Sequence, residues 1–194
     1  MDDEYFRRYA RLHEMIRECY VDYYILLEMR NFINNSDKTV KIPNCFWGII
    51  NHHCRLTKEH LALTLWKLTD DHQNKSNTII TLKTYLREKY ELNSLTLSKE
   101  NMLYRKNKLT PIRKKMLAHN DIENSGVELH IDELFKYLED VRRVLNCLCH
   151  ETIDNRVKPL SDTDVSIISQ YQINLHLLYL HLSAFYKDNA ENSN

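Results

Sequence analysis

From Asp3 onward, apolar side chains return every three or four positions: Phe6, Tyr9, Leu12, Ile16, Tyr20, Tyr23 and Leu27, until a charge takes the next place at Arg30. That spacing is the stripe of an amphipathic helix and predicts a first helix from near Asp3 to near Ile33. Asn34, Asn35 and Ser36 open a polar loop that ends around Pro43. Asn44 reads as the cap of a second long helix, near Cys45 to Leu68. Its apolar residues, from Phe46, Trp47, Ile49 and Ile50 to Leu61, Leu63, Leu65 and Trp66, lie on several sides. A helix apolar around most of its girth belongs in a core or a subunit interface.

Asp70 to Ser76 reads as a polar turn and Thr78 to about Tyr90 as a third helix, with Asn93, Ser94 and Ser98 breaking the pattern again. A fourth helix covers Lys99 to Lys108. Thr110-Pro111 then reads as a cap followed by proline at the first helical position. The helix it opens carries Arg113 and ends near His119 or Asn120. After a polar stretch with Gly126, the fifth long helix spans about Ile131 to Thr152, with Leu134, Leu138, Val141, Leu145 and Leu148 on one face. Past the Pro159 loop, a final helix runs from about Asp162 to Lys187. The pattern therefore predicts an all-α bundle of about six helices, a single domain over residues 1–194, with a disordered tail at 188–194.

Composition sharpens this picture. Two Gly and three Pro in 194 residues are too few for the turns of an all-β fold or for a glycine-rich phosphate loop. Lys+Arg and Asp+Glu both total 27, so no global field draws the chain to nucleic acid or anionic lipid. Any such contact must come from a local patch. No apolar run is long enough to span a bilayer and the chain begins Met-Asp-Asp-Glu, unlike a signal peptide, so a cytoplasmic protein without membrane contact is expected. The five cysteines, Cys19, Cys45, Cys54, Cys147 and Cys149, sit in apolar helical stretches and read as reduced, mostly buried thiols.

The chemistry concentrates in Thr-Pro-Ile-Arg-Lys-Lys-Met-Leu-Ala-His-Asn-Asp, residues 110–121. Arg113 holds phosphate charge at any physiological pH, and His119 can give or take a proton near neutrality. That pair suits RNA cleavage with no metal or other cofactor. Residues six apart on one helix point about 120° apart and lie about 9 Å apart along the axis. A single regular helix therefore cannot clasp one phosphate with both. Either the helix ends at the histidine and swings it back, or a twofold axis brings the motifs of a homodimer together. One histidine would then act as base toward a 2′-hydroxyl while the other protonates the leaving oxygen. Arg105, Lys106, Lys108, Arg113, Lys114 and Lys115 put six cations in eleven residues with no acid among them, which is an RNA-binding surface by type. The plainer reading is a solvated face answering Glu123, Glu128, Asp132 and Glu133.

Arg-x5-His followed by Asn-Asp, in an all-helical chain, resembles the HEPN superfamily. Within it, the abortive-infection (AbiU-like) branch is similar in more than the motif: a Trp- and Leu-rich helix closing on Asp-Asp (Trp47 to Asp71), an Ile-rich segment near Thr78, and a core spelled here Arg113, Lys115, Ala118, His119 and Asp121. The resemblance covers about residues 1–155. It implies a helical bundle that dimerises with its motifs face to face. It also implies a metal-independent endoribonuclease leaving a cyclic phosphate, in phage defence or a toxin–antitoxin system, with an antitoxin or defence-system protein as a further partner. Arg113 and His119 would be the catalytic pair, with Asn120 and Asp121 positioning the histidine. The residue after the arginine is commonly small and polar in active members, and here it is Lys114. Some members of the superfamily are inactive, so a catalytically silent module binding RNA, nucleotide or a partner protein through the same groove stands as the alternative.

Other constellations carry less. His52-His53-Cys54 and Cys147-x-Cys149-His150 contain metal-ligand types, but adjacent or alternate positions on a helix diverge, so no metal is expected. The twelve tyrosines could stack on RNA, but core packing is their commoner use.

Overall fold

The computed structural model describes residues 2–35, 44–70, 78–92, 96–119, 128–152 and 156–170, with side chains at all of these except 35, 44–45, 115–119 and 150–152. The described residues are helical almost throughout and contain no strand. Helix α1 is Asp3–Asn35, α2 Asn44–Leu68, α3 Ile79–Tyr90, α4 Lys99–Tyr104, α5 Thr110–His119 and α6 Ile131–Thr152. Residues 162–170 are helical again. None of these helices is long and apolar enough to cross a membrane. The tail at 188–194 and the end of the final helix lie outside the described residues.

Helix α1, about 50 Å long at 1.5 Å per residue, is the spine against which α2, α3 and α6 pack. Its buried seam is Tyr5, Tyr9, Leu12, Ile16, Cys19, Tyr20, Leu26 and Met29. At both ends this is one position out of phase with the stripe expected from the sequence. Tyr5 rather than Phe6 opens the seam, and Phe6 stays exposed with the Arg156 guanidinium 5.6 Å from its ring centroid. The reason is competition between two aromatics one residue apart. Tyr5 points inward, where its ring packs 6.0 Å from that of Tyr9, and Phe6 takes the cationic cover. On α6 the expected face of Leu134, Leu138, Val141, Leu145 and Leu148 is fully buried.

Local signals set several ends. Thr78 is the N-cap of α3 rather than its first residue; its hydroxyl accepts from the Thr81 N–H, and Thr81 Oγ1 accepts from the Thr78 N–H. Glu91 ends α3 in the left-handed region at φ 56°, a conformation that helix termini usually give to glycine, which this chain scarcely has. Ser98 caps α4. Its N–H, together with Asn101 Nδ2, donates to Asp140 on α6, which also accepts from Arg143. Burial pushes the Asp140 carboxyl up, but the hydrogen bonds from Asn101, the Ser98 N–H and Arg143 outweigh it and hold it below the ordinary carboxylate range.

The largest departure from the sequence reading is at Thr110-Pro111. Thr110 is not a cap. It has right-handed helical dihedrals, and α4 continues into α5 through a π turn at Arg105–Leu109. The Thr110 N–H donates to the Arg105 carbonyl, one residue further back than in an α-helix. Proline inside a regular helix clashes with the carbonyl four residues earlier, and the wider turn makes room for it.

Tyrosine hydroxyls tie the core together. Tyr9 donates to the Lys158 carbonyl at 2.9 Å, Tyr20 to the Glu139 carboxylate, and Tyr137 shares a 2.8 Å hydrogen bond with Thr69. Burial pushes all three phenols up, Tyr9 and Tyr20 far above the usual tyrosine range and Tyr137 to about 12. A phenol whose pKa is higher folded than unfolded stabilises the fold below its unfolded value, and that contribution is lost as pH rises through the folded value. The denaturant midpoint should therefore hold to about pH 10, the unfolded tyrosine value, and fall steeply beyond it. A midpoint flat to pH 12 would show that these phenols ionise freely in the native state.

Candidate functional site

The basic motif meets the bundle at the C-terminal end of α2. Leu109 and Ile112, each 1% exposed, anchor the segment in the core, and the cations flanking them then have defined places. Arg105 donates from Nη2 to Asp70 at 3.4 Å, with both side chains less than one-fifth exposed. Arg113 lies over the ring of Trp66, its Cζ 4.4 Å from the centroid, and is half-buried. The negative end of the α2 dipole favours cations gathering here.

The π turn explains why both arginines reach the same helix end. Eight residues of regular α-helix would leave Arg105 and Arg113 about 80° apart. A π turn takes up roughly one extra residue, which brings them within about 20° of a shared face. Trp66, in the last turn of α2, and Asp70, just past its end, receive them.

The other members of the basic stretch separate. Lys106 and Lys114 are exposed, while Lys108 is half-buried and donates to the Glu128 main-chain carbonyl at 3.3 Å. The acids named in the plainer reading are partly engaged elsewhere: Asp132 pairs with Arg30 at 3.4 Å, and Glu128 lies 3.8 Å from His130. Among the described residues, no carboxylate pairs with Arg113. His119 is the last residue of α5. Its side chain and that of Lys115, together with Asn120 and Asp121, lie outside the described residues.

The apolar pattern assigns Trp66 to a core or a subunit interface and gives no sign that it belongs to this site. Its indole is 7% exposed, and its N–H finds no acceptor among the described residues. Near this end of α2, Thr69 donates to the Leu65 carbonyl and shares a hydrogen bond with Tyr137, whose ring lies 5.7 Å from that of Tyr104.

Away from the motif, the candidates carry little chemistry. A groove of about 850 Å³ runs along α6 beside Ser98, Asn101 and Cys147. The arginines in it are engaged, Arg142 by Glu139 and Asp162 and Arg143 by Asp140 and the Thr96 carbonyl. His52 and His53 are exposed on α2, with His52 Nδ1 3.3 Å from Arg55, and Cys54 is half-buried beneath them. Among the described residues, no group of three or more His, Cys, Asp or Glu side chains is placed to hold a metal ion. No protein-family model matches the chain, and neither a curated protein nor a solved structure shows significant similarity to it.

Proposed function

We propose that the protein is a metal-independent endoribonuclease of HEPN type, serving phage defence or a toxin–antitoxin system. The observation that carries this reading is the seat of Arg113. Its guanidinium carbon lies 4.4 Å from the centre of the Trp66 ring while part of the side chain stays exposed, at the start of a helix whose last residue is His119. In a homodimer the two motifs would share one cleft. One His119 would take the proton from a ribose 2′-hydroxyl as that oxygen attacks phosphorus. The other would protonate the departing 5′-oxygen, leaving a 2′,3′-cyclic phosphate and a free 5′-hydroxyl. The two Arg113 guanidiniums would stabilise the charge that builds on the phosphoryl oxygens. Lys106 and Lys114, both exposed, would add sequence-independent contacts to the backbone.

Lys114 favours a second reading, since an exposed lysine stands where active relatives commonly carry a small polar residue. In that case the same groove binds RNA, a nucleotide or a partner protein without cutting. Cleavage of total RNA in EDTA, comparing wild type with His119→Ala, separates the two. Cutting by wild type that vanishes in the variant supports the nuclease. Absence of cutting by both, across several RNAs and pH values, supports the silent module.

A further inference from the structure

We propose that Trp66 is the positioning residue for Arg113, and that it divides the work between the two arginines of the basic stretch. The proposal rests on reading Arg113 as the phosphate-binding group of the site. A guanidinium is planar, and its five N–H donors lie in that plane, so it can present either an edge or a face. Arg105 gives an Nη2 donor to Asp70 at 3.4 Å, and its charge goes into an ion pair inside the protein. Arg113 places its Cζ over the Trp66 ring, 4.4 Å from the centroid, and a cation–π contact draws on the charge without needing the N–H donors. Among the described residues no side chain or carbonyl takes those donors, which leaves them for a phosphodiester.

The seat is also rigid. Trp66 is 7% exposed in the main core, while Ile112, next to Arg113, is 1% exposed. The ring and the arginine backbone are thus both fixed by burial, and the long side chain between them has little freedom left. The π turn supplies the phase that points Arg113 at the ring, and the Arg105–Asp70 pair pins the start of that turn. Mispositioning a reacting group by about 1 Å can cost on the order of a hundredfold in rate. A flat aromatic platform below the guanidinium is a means of avoiding that loss.

The test uses the full chain carrying Trp66→Leu, Trp66→Phe, Arg113→Ala and Trp66→Leu with Arg113→Ala. Each variant is assayed for RNA cleavage in EDTA and for thermal melting. Trp66→Leu is expected to lower kcat roughly ten- to a hundredfold with a smaller change in KM. Trp66→Phe, which keeps an aromatic face, should recover most of that loss. Added to Arg113→Ala, Trp66→Leu should cost no further activity, because the tryptophan acts only through the arginine. Independent, multiplying losses in the double variant would overturn the proposal, as would a Trp66→Phe enzyme no better than Trp66→Leu at equal melting temperature. If wild type cuts no RNA, the nuclease reading fails by itself and the seat is judged from melting alone. A double variant that loses less than the sum of the two single losses supports the seat, and strict additivity overturns it.

Discussion

Arg113→Ala is expected to lower RNA cleavage by about a hundred- to a thousandfold, the usual cost of removing one preorganised group that stabilises transition-state charge. It should do so with only a modest effect on the fold. The guanidinium lies over Trp66, and losing a half-buried cation–π contact costs about 1 kcal/mol. In a chain of this size that lowers the melting temperature by about 2–4 °C. Arg113→Lys separates charge from shape, since an ammonium keeps the charge but neither stacks flat nor offers a fork. It should recover stability only in part and leave most of the catalytic loss in place. Equal activity of the lysine variant and wild type would mean that Arg113 acts as a diffuse charge and not as a bidentate clamp. The measurements are single-turnover cleavage in EDTA and thermal melting of the same preparations.

Leu138→Ala should have the largest effect on stability. Leu138 is fully buried on α6, the helix that packs on α1, α2 and α3 together, and it belongs to the main core beside Tyr137 and Val141. Large-to-small changes at such positions cost about 2–5 kcal/mol, through lost transfer energy and the cavity left behind. At about 2–4 °C per kcal/mol, the midpoint should fall by roughly 10 °C. A fall under about 3 °C would mean that neighbouring helices close over the vacated space. Leu138→Met, which nearly conserves volume, should cost about 1.5 kcal/mol or less.

What could be read from the chain divides along physical lines. The α6 face was legible because one side of that helix is apolar and the other charged, so the period admits only one phase. The α1 stripe was legible as a helix but misphased at its ends, where Tyr5 and Phe6 compete for one inward position. Both side chains are apolar enough for either to be buried, and the choice involves Tyr9 one turn along the seam and Arg156, far away in sequence, outside it. The stop at Thr110-Pro111 was misread because proline at a helix start and proline accommodated by a π turn share the same residues. Only the hydrogen bond from Thr110 to Arg105 tells them apart. The contact between Trp66 and Arg113 joins positions on separate helices, and no local period encodes it.

Among the described residues, the fully buried side chains of α1 and α2 fall into two clusters. Met29, Phe32, Phe46 and Ile50 make a small aromatic knot at the end of α1 and the start of α2, joined to the large core that α6 completes by half-buried Cys54, which packs against both. Its rings meet edge-on or tilted, with Phe32 centred 6.2 Å from Phe46 and 6.1 Å from Trp47. Cooperative unfolding requires shared burial, so the two clusters need not open together. Backbone amides in the last turns of α1 and the first turns of α2 should therefore exchange with deuterium through a low-energy local opening. Those at the Trp66 end of α2 should exchange only when the whole molecule unfolds. The pair of helices would then breathe where Phe32 meets Phe46, while the end of α2 that receives the arginines stays shut.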